Sequence, residues 1–505
     1  MELFKESIMY KLMSKIYCCL QYGYLNELCG RFSLRVKRIW LESATARVLS
    51  RQGRLAAGWT HSIAYRLLTV IFNAIPWFLR LIYEPLKGLW DSSLILRAIG
   101  YCGDSVPVLL SWFFLALLII PQEYWNNAYS LAAMLLVFSV YNVSLVKDKS
   151  ARIELKSVGV YAAAFAAFVL LFFVISTDRA ASARFLLFHL TCMLAVLLIV
   201  NSVKSRKELI RIVDFSMAGL FISSVFAIGQ RISGIEVNKI YVDISVNSNM
   251  PGRVFSFFQN PNSYAMLLVL LTPLAGALAV YGKGKKRFLY AVVFVVSAAA
   301  LTMTYSRGAW AGFILGIFVF VLIMRPILAP AFVLIGVFIL PILPDAIYNR
   351  MMTSFNEKDT SITSRKPVYK AVWKLISQNP FFGSGLGTDT IKSAIKRHDL
   401  YHSATPYIHA HSLYLELTAE LGVFGLLAAL GTIVSGIKNG LLTIFGKRGP
   451  KELQAVIAAC IAALVGILLC SIMDYPWSFP RVMVVFWYVF ALLIVSIKLA
   501  KENNG

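Results

Sequence analysis

The stretch Ala404–Gly425 reads ATPYIHAHSLYLELTAELGVFG, and two histidines, His409 and His411, stand at the mouth of an apolar run. The run continues as LYLELTAELGVFGLLAALGTIV, enough residues to cross a membrane as a helix. Inside it sit Glu416 and Glu420, one helical turn apart. A carboxylate in a membrane helix costs free energy, so such residues face a polar interior or a site. Taken alone, His411 would read as a polar side chain at the membrane–water boundary. The rest of the chain decides which reading holds.

Working outward, the 505 residues are 58% hydrophobic and only 15% charged; soluble domains are nearer about 25% charged. The apolar excess comes in runs, so the fold class is an all-α integral membrane protein. The net charge of +24 is expected of a chain that keeps basic residues on the cytoplasmic side against anionic lipid heads. No nucleic-acid motif accompanies it, and no nucleic-acid partner is expected. The amino-terminal MELFKESIMYKLMSK lacks an apolar core, so no cleavable signal peptide is expected and the first span would act as an uncleaved signal. None of the seven cysteines falls in a segment expected outside, so no disulfide is predicted. Cys18 and Cys19 are adjacent, which is not a zinc spacing.

Two regions follow. Residues 1–104 carry fourteen Lys or Arg and alternate basic with apolar residues, as in Phe32, Leu34, Val36, Ile39 and Trp40 among Arg31, Arg35, Lys37 and Arg38. This reads as helices on the inner membrane face. Leu67–Leu79 is apolar but short and contains Pro76, so it is read as interfacial rather than spanning. Residues 105–500 form a polytopic domain with twelve expected spans near 106–121, 127–146, 157–176, 184–203, 212–231, 263–281, 287–304, 308–324, 326–343, 411–435, 453–473 and 479–498. The linkers KDKSARIELK, KSRKELIR, GKGKKR and 436–452 are basic and fall on one side, whereas PQEYWNN has no Lys or Arg. By the positive-inside rule both termini are cytoplasmic. Two outer segments remain, about 232–262 and 344–412. The second is the longest polar stretch between spans, with Ser364 placed to cap a helix that Asn379-Pro380 ends.

Four motifs in order carry a family resemblance. Asn260-Pro261-Asn262 follows FSFFQ, and Tyr305-Ser306-Arg307-Gly308 opens an apolar helix. Arg365 begins RKPVYKAVWKLISQNPFFGSGLG, with a Pro-x-x-Gly-x-Gly-x-Gly ending, and ten residues separate His411 from Gly422. From about residue 105 to 500 the chain resembles the O-antigen ligase superfamily, while residues 1 to about 100 have no counterpart in it. The resemblance implies a membrane glycosyltransferase, inverting and metal-independent, with no cofactor. Its partners would be a polyprenyl-pyrophosphate-linked glycan donor, a glycan, lipid or protein acceptor, and membrane lipids. His411 would be the general base, since imidazole titrates near neutrality. Arg307 and Arg365 would hold the donor pyrophosphate, since guanidinium stays charged and matches phosphate oxygens. Glu420, Gly422 and Asn260 would be structural or would hold the site residues in place, and on an ideal helix Glu420 faces away from His411. Of the two asparagines, Asn262 is the expected helix cap. The family's Arg block often has Leu where this chain has Tyr369. His398 and His402 stand at i,i+4, a metal-ligand spacing on a helix, yet no HExxH accompanies them and no metal site is expected.

Three other readings stay open. The same superfamily contains repeat-unit polymerases. A transporter or flippase would show inverted repeats, and none is visible. A non-catalytic scaffold organised by the basic amino-terminal region is the third. No Walker motif is present, and an activated donor needs no ATP.

Overall fold

The computed structural model of the chain describes residues 53–236, 251–353, 363–403 and 407–502, together with Arg31, Arg35 and Arg38. Cys18, Cys19 and most of the alternating 31–40 segment therefore lie outside the described residues, as do parts of both outer segments. Among the described residues every regular element is helical.

The α-helices of eight or more residues are, in chain order, α1 (Ile63–Tyr83), α2 (Leu94–Asp104), α3 (Val106–Ile119), α4 (Asn127–Ser144), α5 (Val160–Val174) and α6 (Arg179–Ser202). Then come α7 (Arg206–Ile232), α8 (Pro261–Tyr281), α9 (Lys286–Met303), α10 (Arg307–Met324), α11 (Ala329–Ile339) and α12 (Asp345–Met352). The short α13 (Arg365–Gln378) and α14 (Thr388–Arg397) precede α15 (Leu413–Phe445), α16 (Lys451–Cys470) and α17 (Pro480–Glu502). Among the described residues ten helices are long and apolar enough to cross a membrane, and up to twelve if each of two bent pairs is one span. The chain is a multi-pass all-α membrane protein.

Three details differ from the sequence reading. The run expected at 157–176 is a 15-residue helix, and 326–343 ends in a 110° bend into α12. The short apolar run Leu67–Leu79 is part of the 21-residue α1, which passes through Pro76. The apolar count understated its length because an amphipathic helix interleaves polar residues, here Arg66 and Arg80, with the apolar ones.

The core is built on α8, α16 and α17, each buried along most of its length. Helix α16 packs on α8 and α10, and α17 on α6. The α10–α16 crossing depends on small residues: a Cβ on Gly312 would collide with the Gly466 carbonyl, and one on Gly466 with the Gly312 carbonyl. Close backbone approach of this kind is how membrane helices associate where burial gives no hydrophobic gain. It sets the start of α10, with Arg307, beside the end of α16.

Candidate active site

The end of α16 is the hub. A Cβ on Gly308, next to Arg307, would lie 3.7 Å from Cys470 Sγ. The turn that follows offers its carbonyls to two other elements. Leu413 N–H donates to the carbonyls of Ser471 (3.0 Å) and Asp474 (3.2 Å), and Arg365 Nη1 donates to the Met473 carbonyl at 2.6 Å. One turn thus ties together the segments that carry Arg307, Arg365 and His411.

His411 sits just before α15 in the left-handed region, at φ 47°. Such a backbone is rare for a residue with a side chain and persists only where its surroundings hold it. Its N–H donates to His409 Nδ1 at 3.0 Å, and its carbonyl accepts from Tyr369 Oη at 3.3 Å. The preceding Ala410 N–H donates to Glu416 Oε2 at 2.6 Å. The departure at 369 thus supplies a hydrogen bond that leucine could not make. Burial pushes the His411 imidazole down to about 2, and the Arg365 charge and repulsion from His409 when it is protonated act in the same direction. Burial also lowers His409, with Asp474 opposing that shift. Both rings are therefore neutral near pH 7, and His411 has a free lone pair.

A second cationic group surrounds the Thr304–Ser306 turn, where Tyr305 has φ 51°. Arg253 Nε donates to the Thr304 carbonyl (2.7 Å), Arg350 Nε to the Tyr305 carbonyl (3.4 Å), and Arg307 Nη1 to Thr353 Oγ1 (3.0 Å). Arg253 and Arg350 are buried. Neither was singled out in the sequence, where nothing distinguishes them from other loop arginines. Arg307 and Arg365 are each the first residue of their helix. A cation there opposes the helix dipole at a cost of about 0.3–1 kcal/mol, so helix stability does not account for the placement. An anion at either point would meet a guanidinium at a helix N-terminus.

The Gly-rich loop and Gly422 prove to be partners. Helix α15 breaks at Gly422, at φ 65° and ψ 178°, which orphans backbone groups on both sides. The loop Pro380–Gly387 supplies their partners. Ser384 N–H donates to the Ala419 carbonyl (2.8 Å), Gly385 N–H to the Glu420 carbonyl (3.2 Å), and Val423 N–H to the Pro380 carbonyl (3.0 Å). A Cβ on Gly383 would strike the Glu420 carbonyl, and one on Gly422 the Phe381 carbonyl. Glu420 Oε1 accepts from Tyr475 Oη at 2.9 Å, which fits a supporting role.

Other expectations need correction. Asn260, not Asn262, caps α8: its Oδ1 accepts from Asn262 N–H (2.8 Å) and Ser263 N–H (3.2 Å). Pro261 occupies the first helical position, which leaves the residue before it as the cap. Asn262 Oδ1 accepts instead from Arg253 Nη2 at 2.5 Å. Ser364 precedes α13 as expected but makes no side-chain capping bond. His398 and His402 do not share a helical face, because α14 ends at Arg397. The residues that do gather are His409, His411 and Asp474, with one ligand-type atom from each within 4.8 Å of the others. A cation there is opposed by Arg365, whose charge acts on both rings, and by the commitment of His409 Nδ1 to the His411 N–H.

This arrangement describes a polytopic membrane protein with Arg365 and a neutral imidazole at one interhelical turn and a second group of arginines around the Thr304–Ser306 turn. The family described as O-Antigen ligase matches residues 292–430, the stretch that carries Arg307, Arg365, His411 and Gly422. The match supports the O-antigen ligase superfamily and a function of the ligase or polymerase type. No curated protein gives a significant match to the chain.

Proposed function

We propose that the chain transfers a glycan from a polyprenyl pyrophosphate carrier to an acceptor hydroxyl, at the outer face of a bacterial cytoplasmic membrane. The observation that carries this reading is the convergence of Arg365 and the neutral His411 on the 471–474 turn, with Gly308, next to Arg307, packed at Cys470 just before it. The acceptor oxygen attacks the anomeric carbon in line as His411 takes its proton. The bond from that carbon to the pyrophosphate oxygen breaks, and the electron pair leaves with the pyrophosphate held by Arg307 and Arg365. Configuration at the anomeric carbon inverts, and no metal is required. The test is transfer from purified lipid-linked donor with EDTA present. Turnover lost in EDTA and restored by zinc would overturn the mechanism.

Arg307→Lys keeps the charge but not the planar fork. A loss of roughly 10-fold or more in kcat/KM is expected. Wild-type kcat/KM would remove Arg307 from the donor site.

Orientation has its own test. Residues 344–412 are proposed to face outward and 282–287 inward, with both termini cytoplasmic. In intact cells an impermeant thiol reagent should label a cysteine at Ser361 and spare one at Gly284. The reverse pattern would invert the topology.

A further inference from the structure

Helix α1 passes a length and apolarity test for a membrane span, but its contacts describe another arrangement. One face grips the loop between α4 and α5. Trp59, folded edge-on against Tyr65 (5.3 Å), donates through Nε1 to the Leu155 carbonyl at 3.4 Å. Asn73 and Ile153 exchange two bonds, Asn73 Nδ2 to the Ile153 carbonyl (3.1 Å) and Ile153 N–H to Asn73 Oδ1 (2.9 Å). Arg80 Nη2 donates to three carbonyls, those of Leu145 (2.7 Å), Asp148 (2.8 Å) and Ala151 (2.6 Å). Beyond the helix end Lys149 pairs with Glu84 at 2.7 Å.

The helix's own anchors, Asn73 and Arg80, cover about 10 Å of helix axis, and Trp59 before the helix and Glu84 just after it hold the same loop. All of them fall on a loop that joins two spans at one membrane face. A helix crossing the bilayer could hold such a loop with one end only. The opposite face of α1 is apolar and open: Ile63, Leu67, Val70, Ile71, Trp77, Phe78 and Leu81 are each more than half exposed. We propose that α1 lies along the inner membrane surface with this face sunk among the acyl chains of the cytoplasmic leaflet. The inner side rests on the orientation proposed above. The in-plane geometry rests on the anchors alone. Lys147 and Lys149 in the gripped loop keep much of their surface and lie where anionic headgroups would be.

The test uses the full chain in bilayers containing phosphatidylglycerol, with spin labels placed singly at Leu67, Ile71, Phe78 and Leu81. Accessibility to oxygen and to a nickel chelate reports depth. A single shallow depth at all four positions is expected. Depths ranging over about 21 Å, the length of a spanning segment from 67 to 81, would overturn the proposal, and so would absence of lipid contact. Labels reached from outside by an impermeant reagent would overturn the inner-face assignment. Arg80→Gln should raise label mobility at Phe78 and Leu81, and unchanged mobility would remove Arg80 as the clamp.

A separate observation concerns Glu416. Its carboxylate is fully buried, and Oε2 accepts from the amide of Ala410, which lies between the two histidines. We infer that Glu416 is a positioning residue that holds the strained backbone at His411, an inference that rests on His411 as base. Glu416→Gln keeps an acceptor oxygen and should stay within a few-fold of wild-type kcat. Glu416→Leu should lose 10-fold or more in kcat while KM for the donor is unchanged. Inactive His411→Ala beside fully active Glu416→Leu would overturn the positioning role alone. Active His411→Ala would overturn the base reading beneath it.

Discussion

His411→Ala is expected to lower glycan transfer by about 100-fold or more, the scale of losing a general base, while binding of the lipid-linked donor persists. Under the proposed mechanism Arg307 and Arg365 hold the donor charge, and the imidazole acts on the acceptor proton alone. The pH dependence follows from the shift. A group held down to about 2 is neutral at every higher pH, so kcat/KM, which reports the free enzyme, should be flat from about pH 5 to 8 with no limb near the ordinary histidine value. A pyrophosphate at Arg365 would favour the imidazolium form, so a limb should emerge in kcat. His409→Ala removes an acceptor for the His411 N–H and ring contacts with His411 and Tyr475 and should cost a few-fold. Dead His409→Ala beside active His411→Ala would show that the base has been assigned to the wrong histidine.

Gly422→Ala is expected to abolish activity together with stability. At φ 65° and ψ 178° the backbone occupies a region essentially confined to glycine, where a side chain adds about 1–3 kcal/mol of strain. The added Cβ would also strike the Phe381 carbonyl and pry the Gly-rich loop from the broken helix, leaving the Ala419 and Glu420 carbonyls and the Val423 N–H without partners. Gly383→Ala meets the same seam from the other side and should behave alike. Gly336, which has open space around it, is the control, and Gly336→Ala should be neutral. Melting temperature and transfer rate, measured on all three, decide the matter. A wild-type Gly422→Ala would mean the clasp does not hold the site.

That clasp also marks where sequence reading ended. Apolar runs and the side of the basic linkers made the all-α membrane class legible, because a lipid solvent demands long apolar helices whatever their packing. The resemblance carried by four motifs in order pointed to Arg307, Arg365 and His411, because residue order and spacing are local features of the chain. The partners of those residues were not legible. Met473, Asp474 and Arg350 reach the site only through the α10–α16 crossing and the fold of the outer loop, contacts that no local pattern records. His398 and His402 had a ligand spacing but no helix to display it, whereas His409 and Asp474, sixty-five positions apart, bring ligand-type atoms within 4.8 Å of each other. Length misled for α1, because polar residues on its gripping face interrupt the apolar count. Composition by itself determined what kind of solvent this chain lives in. Which histidine meets which arginine was decided by the tertiary structure, because hydrogen bonds from a turn and close approach of two glycine-bearing helices act between residues distant in sequence.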